Sequence, residues 1–169
     1  MIAALILALQ AMSPQSASPD LRCIVDRISA ADRAALGQSA RRGDESLGPA
    51  GERFEDAAVG CARELTWTPQ RASDMSALSL SLIFQDESGR LLQEAGMPVG
   101  EIDAWFQRQS EGVRTEPDVS EDTSTRLVET LNGQGVALDR VQASGQLIGV
   151  YLAARVMIER FRLGLPIVH

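Results

Sequence analysis

A β-strand needs a partner, and this chain offers only one run that alternates like a strand, Leu78-Ser-Leu-Ser-Leu-Ile-Phe84. Its surroundings follow a different period. Met75, Leu78 and Leu82 share a helical face, as do Leu91, Leu92 and Ala95. Residues 70–95 are therefore read as one long central helix, broken or bent near Gly89, whose serines leave room for neighbouring helices. The expected fold is all-α: a single domain of five or six helices.

The other helices carry their own punctuation. Ile24, Ile28, Ala31 and Ala35 recur at helical spacing and predict a first helix from Pro19-Asp20 to about Ala40, with Gly37 weakening its end. Residues 41–51 hold charges, three glycines and a proline, which predicts a loop. A second helix follows over 52–65, with Phe54, Ala57, Ala58, Cys61 and Leu65 on one face. Thr68-Pro69 supplies an N-cap and first-turn proline for the central helix, and Gly96-Met97-Pro98 ends it. Shorter helices are expected over about 99–110, with Ile102, Trp105 and Phe106 inward, and from Glu121 to Leu131. Asp139 is the expected cap of a last helix reaching Leu163. Gly145, Gly149 and Ala153 lie four apart there, a small-residue stripe against which another helix of a buried centre is expected to pack. The uncharged run between Arg140 and Arg155 includes Gln142 and Gln146 and is too short to span a bilayer.

The N-terminus bears on compartment. Met1 to Met12 is apolar and uncharged, then passes into a Ser/Pro segment. That is too short for a membrane span and suits the apolar core of a secretory signal, although the usual basic residue before it is missing and the small-x-small cleavage patterns are followed by proline. Residues 1–18 are read as a signal peptide and 19–169 as the helical domain; a buried N-terminal helix is the alternative. In an exported chain the only two cysteines, Cys23 and Cys61, are expected to form one disulfide, worth about 4 kcal/mol by loop entropy. Leu21-Arg22 before Cys23 makes a poor lipidation site. The expected localisation is periplasmic or secreted.

Much catalytic chemistry is ruled out by composition. All 16 basic residues are arginine, and the single histidine is the terminal His169. A Schiff-base lysine is excluded, and a frayed terminal His169 is a poor place to hold an imidazole for a Ser-His-Asp or Cys-His arrangement or a histidine-ligated metal. A net charge of −7 argues against nucleic acid and against an anionic membrane surface as the main partner.

Two weaker constellations remain. Asp118, Ser120, Asp122, Ser124 and Glu129 fall at positions 1, 3, 5, 7 and 12 of an EF-hand calcium loop. Thr123 stands where that loop wants glycine, and Thr125 where it wants an apolar residue. Helix capping by Asp118 or Ser120 is the simpler reading, and no other cofactor is indicated. Paired carboxylates, Glu52, Glu55, Asp56 and Glu64 on one helix or Asp86 and Glu87 on another, are the remaining catalytic option. Trp67 and Trp105 fit a core better than a ligand groove. The leading expectation is a non-enzymatic exported module binding a protein or small ligand; the alternative is an exported, glycan-cleaving hydrolase working through paired carboxylates.

Overall fold

The computed structural model describes residues 19–44, 46–117 and 120–167, and the expected signal peptide, residues 1–18, lies outside them. Among the described residues the fold is all-α, with nine helices: α1 (Pro19–Arg27), α2 (Ala30–Arg42), α3 (Gly48–Glu64), α4 (Pro69–Glu94), α5 (Val99–Arg108), α6 (Glu111–Thr115), α7 (Glu121–Gly133), α8 (Leu138–Ala143) and α9 (Gly145–Arg162).

The single-domain, all-α reading holds, and the count exceeds the five or six expected for local reasons. Ser29 breaks the predicted first helix: its backbone is extended and its side chain caps α2 by accepting from the Asp32 N–H. Ser144 separates α8 from α9. One turn of helix, α6, forms between the two shorter helices expected over 99–110 and from Glu121 to Leu131. The predicted 41–51 loop contracts, because α2 runs on to Arg42 and Pro49 starts α3 early. Asp139 does not cap the last helix; the residue before α8 is Ala137, which offers no side-chain cap.

Helix α4 is the spine, about 39 Å long at 1.5 Å per residue. Thr68 caps it by accepting from the Arg71 N–H at 3.2 Å, with Pro69 in the first turn. It ends as predicted: Gly96 takes φ +74°, and the Met97 N–H returns to the Leu92 carbonyl at 2.9 Å. It is continuous through Gly89, without the expected break. Its strand-like alternation arises because α1, α2, α3 and α9 pack around it, so Leu78, Ser79, Ser81 and Ile83 are all buried. Ser76, Ser81 and Ser88 donate back to the carbonyls of Ala72, Ala77 and Phe84, which satisfies their hydroxyls inside the helix.

Two glycines set how closely the spine is approached. A Cβ on Gly37 would lie 2.6 Å from the Cβ of Glu87, so glycine is what lets α2 sit against α4. A Cβ on Gly89 would lie 3.2 Å from the Tyr151 ring, at the crossing with α9. Helix α9 runs antiparallel to α4: Arg71 stacks over Phe161 at one end, and Gly89 meets Tyr151 nearer the other.

The core divides in two along these paired helices. One cluster gathers Met75, Leu78 and Ile83 of α4 with Ile24, Leu36, Phe54 and Cys61 of α1–α3. The other gathers Leu91 and Leu92 with Ile102, Trp105, Phe106, Leu131 and the buried face of α9. Cys23 of α1 and Cys61 of α3 stand at disulfide distance in the first half, with Sγ–Sγ 2.05 Å and Cα–Cα 6.0 Å. Ion pairs from Arg27 to Glu64 and from Arg71 to Asp20 tie α1 to the same neighbours.

Candidate functional site

The small-residue stripe of α9 faces outward. Tyr151 and Ala154, on the opposite side, are buried, whereas Gly145, Gly149 and Ala153 are exposed. A Cβ placed on Gly145 or Gly149 would meet nothing within 4 Å. Among the described residues no helix packs on the stripe, contrary to the expectation from its spacing. Periodicity determines which residues share a face, and it does not determine which way that face turns.

Beside the stripe runs an apolar groove of about 210 Å³. Helix α7 supplies one wall with Leu127 and Val128, α8 closes an end with Val141 and Gln142, and α9 contributes Ile148 and Leu152 below its two open glycines. The deeper residues are fixed by the core: Leu127, Val141 and Leu152 are each 3% exposed. Leu138, three residues before Val141 on α8, is 48% exposed. A groove of this volume lies below the range of about 300–1,000 Å³ usual for pockets that enclose a small molecule, and it accommodates one or two aliphatic side chains.

The calcium candidates meet a helix. Ser120 is the N-cap of α7, its Oγ accepting from the Thr123 N–H at 3.2 Å. Asp122 pairs with Arg126, Ser124 lines the apolar groove, and Glu129 lies further along α7. Nine residues separate Ser120 from Glu129, about 13 Å along a helix axis, where a calcium loop would fold them around one ion. Asp118 lies outside the described residues. Among those described, no group of three or more acidic, histidine or cysteine residues is placed to hold a metal ion.

The expected carboxylates separate into two kinds. Glu52, Glu55, Asp56 and Glu64 are all exposed on α3, the last bound to Arg27. Asp86 is different. It lines a recess of about 310 Å³ together with Asp103 of α5 and Tyr151 of α9. The Tyr151 hydroxyl donates to Asp103 Oδ1 at 2.8 Å, and Arg155 Nε lies 3.5 Å from the same oxygen. Burial, then the bond to Asp103, pushes the Tyr151 hydroxyl far above its ordinary pKa. Desolvation raises the Asp86 pKa, and the neighbouring Glu87 carboxylate adds to the rise against a smaller opposing pull from Arg33. Glu87 itself is bound to Arg90. Asp103 was not among the carboxylates singled out by sequence; no local motif marks it, because its partners lie 17 residues before it and 48 after.

Trp105 is buried in the second core cluster, as expected. Trp67 packs against the first, although its buried Nε1 has no hydrogen-bond partner among the described residues. The Arg42-Gly43-Asp44 tripeptide is the C-terminal stop of α2, with Gly43 in the left-handed region and Arg42 bound to Asp44.

No protein-family model, curated protein or solved structure matches the chain. No described helix is long and apolar enough to cross a membrane.

Proposed function

We propose that this protein is an exported, non-enzymatic binding module that docks another protein on the groove between α7 and α9. The observation that carries the reading is a rigid apolar groove bordered by two glycines whose Cβ positions are empty. Buried leucines hold its floor in place, so little ordering is needed when a partner binds. Bare glycine backbone allows a partner helix or extended segment to approach closely, and the groove volume favours single side chains over an enclosed ligand. Export is supported by the apolar, uncharged Met1–Met12 and by two cysteines at disulfide distance, a combination suited to an oxidising compartment. The acidic balance favours protein partners over nucleic acid.

The test uses the empty space at Gly149. Gly149→Leu adds a side chain beside the groove, from a Cβ position with no neighbour within 4 Å, and removes the helix penalty of glycine, about 0.8 kcal/mol. Its Tm should equal or exceed that of the wild type. A photo-crosslinking amino acid at Gln142 should capture a partner in cells expressing the wild type and lose it in Gly149→Leu. Equal capture by both proteins would refute the groove as the docking site.

The Asp86–Asp103 recess favours a second reading, an exported hydrolase that cleaves glycans through paired carboxylates. Asp86, with its raised pKa, would be the general acid, and Asp103, held by Tyr151 and Arg155, the second carboxylate of the pair. It predicts release of reducing sugar from peptidoglycan or chromogenic glycosides, lost in Asp86→Asn. Absence of turnover in the wild type removes this reading and leaves the groove untouched.

A further inference from the structure

Helix α6 crosses the end of α9 without an apolar anchor. None of its residues is buried, and its main neighbour is α9. The contacts that hold it are polar. Arg114 donates to Glu159, a carboxylate 5% exposed, and Arg160 Nη1 donates to the Thr115 carbonyl at 2.6 Å. Arg114 Nε is buried and has no hydrogen-bond partner among the described residues, so within them the guanidinium is incompletely satisfied.

The position of α6 connects it to the groove. Ile148 and Leu152 face the groove, and Glu159 lies seven residues beyond Leu152, two turns and about 10 Å further along the same face of α9. Arg114 is seated there. Helix α6 thus occupies the continuation of the docking face past the point where α7 begins.

We propose that residues 110–116 form a displaceable strap, closed over the far end of the α9 face and able to open while the rest of the domain stays folded. The proposal rests on the groove reading and adds a means of regulating that site: opening lengthens the docking face by two turns and bares the Glu159 carboxylate at its end. The energetics favour a local event. A partly buried ion pair returns much of its attraction as desolvation, so water can replace the closed contacts at small net cost. Opening removes no apolar side chain of α6 from a core, and Glu159 keeps Arg162, 3.5 Å away, as a counter-ion.

Hydrogen exchange on the full chain tests this without a ligand. The peptide covering 109–117 should exchange at least about tenfold faster than the peptides of α4 and α9, through local opening. Raising NaCl from about 50 to 500 mM should accelerate 109–117 alone. Glu159→Gln and Arg114→Met should each speed it by about tenfold more, leaving α4 unchanged. If either variant fails to fold, the salt series on the wild type decides. Exchange of 109–117 only at the rate of α4, and insensitive to salt, would overturn the strap. That result is separate from loss of the groove reading, which depends on the Gln142 cross-link.

Discussion

Asp86 and Asp32 show how differently two carboxylates can be placed. Asp32 accepts from Arg53 and Ser29, which hold its pKa below the ordinary value. That contribution is present above the unfolded pKa and is lost as pH falls through the lowered native one. Asp86 has the opposite sign. Its native pKa is raised above 3.8, so the folded state binds its proton more tightly and ionisation at neutral pH opposes folding. Asp86→Asn should therefore raise stability at pH 7 by up to about 0.5 kcal/mol, a small figure because the side chain is exposed and screened. The difference should shrink as pH falls through the raised native pKa and vanish below the unfolded value. Urea melts of the two proteins across that range check it; a wild type more stable than the variant at pH 7 would contradict the assignment.

Among the elements, those with end signals were legible in the sequence. Thr68-Pro69 and Gly96-Met97-Pro98 marked both ends of α4, because a cap and a left-handed glycine are local chemistry. Ser29 also caps a helix, yet Ile24, Ile28, Ala31 and Ala35 keep a helical rhythm across it and conceal the break between α1 and α2. Gly37 read as a weak point and is a packing contact, since only the fold brings Glu87 beside it. The spacing of the α9 stripe placed Gly145, Gly149 and Ala153 on one face correctly and their burial wrongly. Asp103 was invisible for the same reason as its recess: residues 86, 103 and 151 meet only through the crossings of α4, α5 and α9. At this scale Gly149→Leu is the informative change, because the glycine has no packing role to lose.

The whole molecule is two core clusters strung along an antiparallel pair of helices, and only the α1–α3 half holds the cysteine pair. A closed loop with a sequence separation of 38 should stabilise the domain by about 4 kcal/mol. Replacing Cys23 and Cys61 together by serine should lower Tm by about 8–16 °C, and a reductant should have the same effect on the wild type. A Tm indifferent to reductant would show that the pair is not bonded in the purified protein. The groove lies in the other half, lined by α7, α8 and α9, so a folded serine variant should still cross-link from Gln142.

Native mass spectrometry of the protein, expressed with its own N-terminus and recovered from the periplasm, tests the central claim most directly. The account predicts a chain lacking its leader, about two daltons lighter than the reduced form, and bound to a protein partner that is absent from the Gly149→Leu spectrum. Full-length, reduced protein confined to the cytosol, with the same partner or none in both spectra, would contradict it.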